Sequence, residues 1–361
     1  MSDIRKLAHV EKIVSLTSID GADKIETALV LGWQCVVKKK EFKVGEIVVY
    51  IEVDSIVPDK PEYEFLRERK FRVRTIKLRK QISQGLVLPL SVLPEGRYKE
   101  GQDVTELLGI IKYDPQAQEE TEESDVRMKN PFFKFMMRFS WFRKLFKKNK
   151  GGFPKWIVKT DEERIQNMPE ILIREQGTLF EVTEKLDGQS VTYFLKRNKR
   201  KDLLNGKFEF GVCSRNNRLA KPDNSSWWNV AKQLDIENVL KKLIGEEDYI
   251  VLQGEILGTN IQGNKYGVKK FEFFAFNLIL PSGKIYWERM DFNMRRYGIK
   301  SVPLLDMAYR LPETVEDIVK FSIGKSMLKP DAWREGIVVR NYNKGISFKV
   351  INPEFLLKNN E

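Results

Sequence analysis

Short strand-like runs, each bounded by a charged or glycine-bearing turn, follow one another through the first 113 residues, and no long amphipathic helix interrupts them. Residues 29–37, 44–53, 70–79 and 84–90 mix apolar and β-branched residues with near alternation, the pattern of strands that bury one face. Several such strands at this spacing predict a small β-barrel. Arg72, Arg74, Lys77 and Arg79 stud the third run with cations. A basic strand face on an OB-type barrel suits a nucleic-acid backbone, so these four are the candidate nucleic-acid contacts. A merely solvated strand fits the same pattern equally well.

The next segment changes character twice. Residues 114–126 are acidic and rich in Gln and Glu, which reads as an exposed linker. Residues 127–150 hold nine Lys or Arg, seven aromatics and no acid. Phe132, Phe135, Met136, Phe139, Phe142 and Phe146 recur at three- and four-residue steps, which predicts an amphipathic helix with a basic face. Docking on a domain, touching nucleic acid and lying on a membrane surface all suit that pattern. Beyond residue 153, strands are expected at 178–184, 190–196, 207–214, 249–257, 270–280, 335–341 and 345–351. Helices are expected at about 161–168, 228–244, 288–297 and 313–321. This is an α+β domain built on antiparallel sheet. The chain thus divides into a barrel (1–113), a linker with a basic helix (114–152) and a second domain (153–361).

Composition excludes several chemistries. His9 is the only histidine in 361 residues, so a multi-histidine zinc site is not expected, and a Ser-His-Asp triad, which would have to rest on His9 alone, is not expected either. Cys35 and Cys213 are far apart, without metal-ligand spacing, and read as reduced thiols. An enzyme of this composition must work with lysine, carboxylates and a hydrated metal. The N-terminus has no apolar leader, and no apolar run reaches the roughly 20 residues that span a bilayer. A cytoplasmic protein without stable membrane association is expected. The net charge of +12 suits a polyanionic partner.

The chemistry-bearing residues come in an ordered series. Glu184-Lys185-Leu186-Asp187-Gly188 lies between two strand-like runs. Cys213-Ser214-Arg215-Asn216-Asn217 follows, then Leu252-Gln253-Gly254-Glu255-Ile256, then Phe273-Phe274-Ala275-Phe276-Asn277-Leu278. Arg334-Glu335-Gly336-Ile337-Val338-Val339-Arg340 and Ser347-Phe348-Lys349 close it. Lys-x-Asp-Gly alone is a weak signal; the order and distances of its companions carry the weight.

These six segments resemble the ordered motifs of the covalent nucleotidyltransferase superfamily, which includes ATP-dependent DNA and RNA ligases and mRNA capping enzymes. Nearly the whole chain resembles the Deinococcus-type RNA ligases, whose OB module precedes the catalytic domain. Residues 45–50, 54–58 and 82–86 and the run Lys159-Thr160-Asp161-Glu162-Glu163-Arg164-Ile165-Gln166-Asn167 carry that narrower likeness. A chain reaching only about a dozen residues past Lys349 is expected to lack a C-terminal OB module.

The resemblance implies an N-terminal OB-type barrel followed by an antiparallel-sheet nucleotidyltransferase domain, using ATP and Mg²⁺ or Mn²⁺. It implies Lys185 as the nucleophile that takes AMP. Asp187 and Glu335 would hold the metal, through water. Lys349 would offset charge on the α-phosphate. Arg215 would touch ribose or phosphate and Glu255 a ribose hydroxyl, and Phe276 or Phe274 would stack on adenine. Glu184 and Leu186 flank the nucleophile and belong to the same nucleotide site. Superfamily members carry two motif-V lysines one residue apart, and Ser347 stands at the first of those positions here.

The expected partner is RNA with 3′-hydroxyl and 5′-phosphate ends, at nicks in duplex RNA or RNA-containing hybrids, sealed by a monomer in RNA repair. The alternatives are a GTP-dependent capping guanylyltransferase, a DNA ligase, and a nucleic-acid-binding protein that has lost activity. Lys185, Glu255, Glu335 and Lys349 are all in place, which argues against the last.

Overall fold

The computed structural model describes residues 6–113, 151–198, 207–219 and 225–359. The expected linker and basic helix at 114–150 lie outside the described residues.

Ala8–Ser18 is the centre of the N-terminal domain. Ile25–Val30 and then Trp33–Lys38 lie on one side of it, and Ile47–Ile51 and then Leu86–Pro89 on the other, all antiparallel. Ile47–Ile51 reads IVVYI because it is covered on both faces. Val49 and Ile51 join one core with Ala8, Val10 and Tyr63, while Val48 and Tyr50 join another with Trp33 and Ile13. The expected strand at 29–37 is instead a hairpin. Leu31 adopts a left-handed φ of 51° and the chain reverses at Leu31-Gly32. The expected strand at 70–79 shortens to Thr75–Leu78, paired only with Gln81–Gln84, because Lys70 and Phe71 also have positive φ.

The second domain contains two separate sheets. In one, Leu179–Lys185 lies between Gly336–Asn341 and Leu304–Arg310. Ile346–Ile351 continues it and Glu163–Arg164 adds a parallel edge. In the other, Gln189–Arg197 pairs with Phe208–Cys213 and Tyr249–Leu257, and Glu272–Leu280 pairs with Tyr249–Leu257. Leu186, Asp187 and Gly188 are the three residues between Leu179–Lys185 and Gln189–Arg197, so the chain crosses between layers at the Lys-x-Asp-Gly motif, as it does again at Val302-Pro303. The glycine there is a packing requirement. A Cβ at Gly188 would stand 2.5 Å from the Ile256 carbonyl oxygen and 2.9 Å from Glu255 Cγ.

Each sheet has its own core. Helices Ser226–Gln233, Ile236–Leu243 and Trp287–Arg295 cover one sheet through Trp228, Val239, Leu240, Met290 and Met294. Val315–Ser322 covers the other, over Phe180, Ile318 and Phe348. Burying a phenylalanine such as Phe348 fully contributes about 2–3 kcal/mol. The expected helix 228–244 is two helices, broken where Asp235 takes a φ of 49°. The expected helix 161–168 is the short strand Glu163–Arg164 and one 3₁₀ turn, Ile165–Asn167.

Tertiary contacts override the helical pattern at that last segment, because it is the seam between domains. Gly32 N–H donates to the Gln166 carbonyl (2.9 Å) and Trp33 Nε1 donates to Asn167 Oδ1 (2.6 Å). Asn167 Nδ2 donates to Glu52 Oε1 (2.5 Å). Asp54 accepts from Arg72 of its own domain (2.7 Å) and from Arg164 across the seam (3.1 Å). Among the described residues, no helix is long and apolar enough to cross a membrane. Cys35 and Cys213 are buried free thiols, and His9 lies on the first strand, buried between Glu11 and Glu52.

Candidate active site

A cleft of about 520 Å³ opens at the sheet crossing. It is lined by Lys185, Asp187, Arg215, Glu255, Phe276, Glu335 and Lys349, together with Glu184 and Leu186. Every residue expected at the catalytic and nucleotide positions therefore meets in one place, although they span 165 residues of sequence.

Strand register brings them there. Lys185 ends its strand paired with Gly336, which puts Glu335 beside it. Lys185 Nζ donates to both Glu335 oxygens at 2.6 Å. Lys349 lies on the next strand, opposite Val338. Glu255 and Phe276 come from the other sheet, Glu255 opposite Ser190 and Phe274. Phe276 is half-buried and lines the cleft, whereas Phe274 is buried with Leu186, Tyr266 and Val302. The aromatic surface open to a base is thus that of Phe276.

The charges are strongly coupled. Burial acts to lower the Lys185 pKa, but the carboxylates of Glu335, Glu255 and Asp187 outweigh it, and the amine is held above its ordinary range. Burial pushes Glu255 up to about 8, with Lys185 opposing and Glu335 and Asp187 adding to the rise. Burial also raises Glu184, whose Oε2 accepts the Met327 N–H at 2.8 Å. Asp187 Oδ2 accepts from Lys265 Nζ at 2.5 Å, and the Asp187 N–H donates to the Tyr266 hydroxyl at 2.9 Å.

Asp161 gathers three cations: Lys112 (2.8 Å), Arg215 (2.8 Å) and Lys349 (3.1 Å). Burial would raise its pKa, but Lys349, Arg215 and Lys112 hold it well below the usual carboxylate range. Lys112 belongs to the N-terminal domain, so both domains build the site.

Ser347 does not line the cleft, and Ile351 does. The first motif-V position therefore does not face the site, and Lys349 is the one cation that this strand presents there. Arg340, paired with Ser347, lines the cleft and donates to Thr183 Oγ1 at 3.0 Å.

The four cations expected on one nucleic-acid-binding strand are not together. Arg72 is buried, ion-paired to Asp54 and seated 3.6 Å from the Tyr113 ring centre. Arg74 is half-buried and faces the cleft. Lys77 and Arg79 are exposed, and Lys77 is 3.9 Å from Glu354. The early end of the segment bridges to Ile56 through Arg72 and the later end pairs with Gln81–Gln84, so the four side chains do not share one strand face. Sequence reasoning missed Lys112, Lys265 and Tyr266, and it quoted Arg340 in the run 334–340 without a role. Asp161 stood in the quoted run at 159–167, and this was its only signal.

Among the described residues, no group of three or more His, Cys, Asp or Glu side chains forms a metal cage. Asp187 and Glu335 nonetheless suit a hydrated Mg²⁺ or Mn²⁺, since such ions use one or two carboxylates and keep several waters. Each of these two carboxylates already holds a cation, a lysine ammonium at 2.5–2.6 Å.

A strand-end lysine ringed by carboxylates, beside a cation cluster and an aromatic face, makes a cleft with the charges and the stacking surface of a nucleotide-binding enzyme. A family model for RNA ligase matches residues 178–351, and an OB-fold domain model matches residues 7–90. The chain also matches solved structures of Naegleria gruberi RNA ligase. A lysine-to-methionine mutant with AMP and Mn is 31% identical, covers 98% of both chains and has a TM-score of 0.78. The same ligase with PPi is 32% identical over 98% of both chains, with a TM-score of 0.79. A glutamate-to-alanine mutant with ATP and Mn is 32% identical, covers 99% of this chain and 100% of that one, and has a TM-score of 0.80. No curated protein matches the sequence. The chain belongs to the RNA ligase family and is an ATP-dependent RNA ligase that uses a divalent cation.

Proposed function

We propose that this ligase seals 3′-hydroxyl and 5′-phosphate ends at nicks in duplex RNA or RNA-containing hybrids, in RNA repair. The observation that supports a nick is the shared cleft. Arg72, Arg74 and Lys112 of the N-terminal domain open onto the same space as Lys185, so a strand held by one domain lies against the nucleophile of the other. The division at 113 and 153, the monomeric state and the cytoplasmic setting belong to the same proposal.

The residue roles are those that the family resemblance implies, and the geometry is compatible with them. Lys185 Nζ forms a bond to the α-phosphorus of ATP as the bond to pyrophosphate breaks. That attack requires a neutral amine, and the ammonium is now held by Glu335. A divalent cation at Asp187 and Glu335 would supply positive charge that favours the neutral amine and polarises phosphate oxygens. Lys349 offsets charge on the α-phosphate. Arg215 takes a phosphate or ribose contact. Glu255, protonated below about pH 8, bonds a ribose hydroxyl. Phe276 stacks on adenine. AMP then passes from Lys185 to the 5′-phosphate, breaking the phosphorus–nitrogen bond and forming a 5′–5′ anhydride. The 3′-hydroxyl attacks that phosphate and AMP leaves.

The relatives support these roles by spacing. Among the solved mutants of the Naegleria ligase, one altered lysine and an altered aspartate stand two residues apart, and an altered glutamate and another lysine fourteen apart. Lys185 and Asp187, and Glu335 and Lys349, have the same separations.

The deciding experiment compares sealing of a nicked RNA duplex with joining of the same strands unpaired. Faster sealing of the nick is expected, and equal or faster joining of single strands would overturn it. A nick with a deoxyribose 3′ end tests the RNA requirement, and labelled GTP in place of ATP tests the nucleotide.

A further inference from the structure

Lys265 holds a carboxylate of the site, yet the reaction assigns it no role. It reaches Asp187 Oδ2 at 2.5 Å from the loop between Tyr249–Leu257 and Glu272–Leu280. We propose that Lys265 is the resident counter-cation of Asp187, and that it must leave this carboxylate before a divalent cation can bind there. This rests on the reading of Asp187 as a metal-holding carboxylate.

Charge and space both support the exchange. Asp187, Glu255 and Glu335 converge on one site, and their mutual repulsion is large unless cations are interspersed. Lys185 and Lys265 together supply two positive charges to Asp187 and Glu335. A dication supplies the same two. A bound Mg²⁺ or Mn²⁺ with its water shell needs the space beside Asp187 that the Lys265 ammonium fills. Lys185 gives up its charge by losing a proton, as its nucleophilic role demands. Lys265 must instead move.

The loop is built to let the side chain move while the backbone stays. Gln262, Gly263 and Asn264 all have positive φ (46°, 65° and 48°), and Asn264 closes the turn by bonding Val268 N–H and O at 2.9 and 3.0 Å. Tyr266 is buried and ties the loop to the Asp187 N–H. The Lys265 ammonium also lies 4.6 Å from the Phe355 ring centre while it holds Asp187, and its side chain is partly exposed, which leaves it a way out towards solvent. Metal entry is thus a competition within the protein, and Lys265 sets its threshold while keeping the empty site neutralised.

The test is Mn²⁺ binding to the nucleotide-free protein, followed by electron paramagnetic resonance, for wild type, Lys265→Met, Lys265→Arg and Asp187→Asn. Lys265→Met keeps an unbranched apolar side chain of similar length and removes the charge. It is expected to tighten Mn²⁺ binding by about tenfold, and Lys265→Arg to restore weak binding. Its unfolding midpoint should fall without metal and recover with Mn²⁺, which separates a lost counter-cation from a misfolded loop. A Lys265→Met binding curve that superimposes on wild type overturns the proposal. If Asp187→Asn also leaves the wild-type curve unchanged, the underlying reading of Asp187 fails as well; if Asp187→Asn weakens binding, only the role of Lys265 fails.

Discussion

Glu335 accepts a hydrogen bond from the Lys185 ammonium at each of its carboxylate oxygens, both at 2.6 Å. The pair holds the proposed nucleophile in place and in its charged form. Replacing Glu335 by Gln removes a charge that raises the Lys185 pKa. The rate of lysine labelling from α-labelled ATP should fall by about 100-fold through loss of metal and phosphate positioning. Its alkaline-rising limb should also move to lower pH. A limb that stays in place would separate Glu335 from the titration of Lys185. Lys185→Ala should take no label.

Asp161 is the carboxylate around which Lys112, Arg215 and Lys349 gather. Its folded-state pKa lies below the ordinary 3.8, so its contribution to stability is present above that pH and is lost as pH falls through the folded value. Asp161→Asn should lower the unfolding midpoint at neutral pH, and the difference should vanish in strong acid. The freed cations should bind a polyanion better, so pyrophosphate should raise the midpoint more in the mutant than in wild type. Equal shifts would mean that the cluster is not a phosphate site.

Glu255 titrates near 8 in the folded protein against an ordinary 4.5. The folded state then holds the extra proton between these values, and stability falls as pH rises from about 4.5 to about 8. Glu255→Gln should match wild type near the lower value and exceed it above the upper one, as read by thermal unfolding of the nucleotide-free protein. A constant difference across that range would deny the shift.

Gly32 meets the seam with no room to spare: a Cβ there would lie 2.9 Å from Gln166 Cα and 3.0 Å from Val315 Cγ2. Gly32→Val should cost about 1–3 kcal/mol through overpacking. It should also raise protease sensitivity between the domains, since the Trp33–Asn167 and Arg164–Asp54 contacts lie alongside. Unchanged stability and protection would place the domains further apart than described.

The chemistry of the second domain was legible because each key residue ends or interrupts an apolar strand in a fixed order. Lys185 closes Leu179–Lys185, Glu335 precedes Gly336–Asn341, and Lys349 sits between the buried Phe348 and Val350. Strand Leu304–Arg310 was missed because it is largely half-exposed and reads as mixed sequence. Residues 161–168 misled because their apolar spacing serves contacts with the other domain. Lys265 and Tyr266 sit in a turn of positive φ, where periodicity carries no signal and only folding brings them to Asp187. In the barrel, the cations of 70–79 were visible but their directions were not, since direction depends on where pairing begins.

The crossing at Leu186-Asp187-Gly188 divides labour between the sheets. The groups assigned to the nucleoside, Glu255 and Phe276, ride on one sheet, and Lys185 and Lys349 ride on the other. The gap between amine and α-phosphorus is therefore a tolerance set by how two independently packed layers stack. A substitution deep in either core, far from any reacting atom, can detune the reaction while leaving every active-site side chain intact.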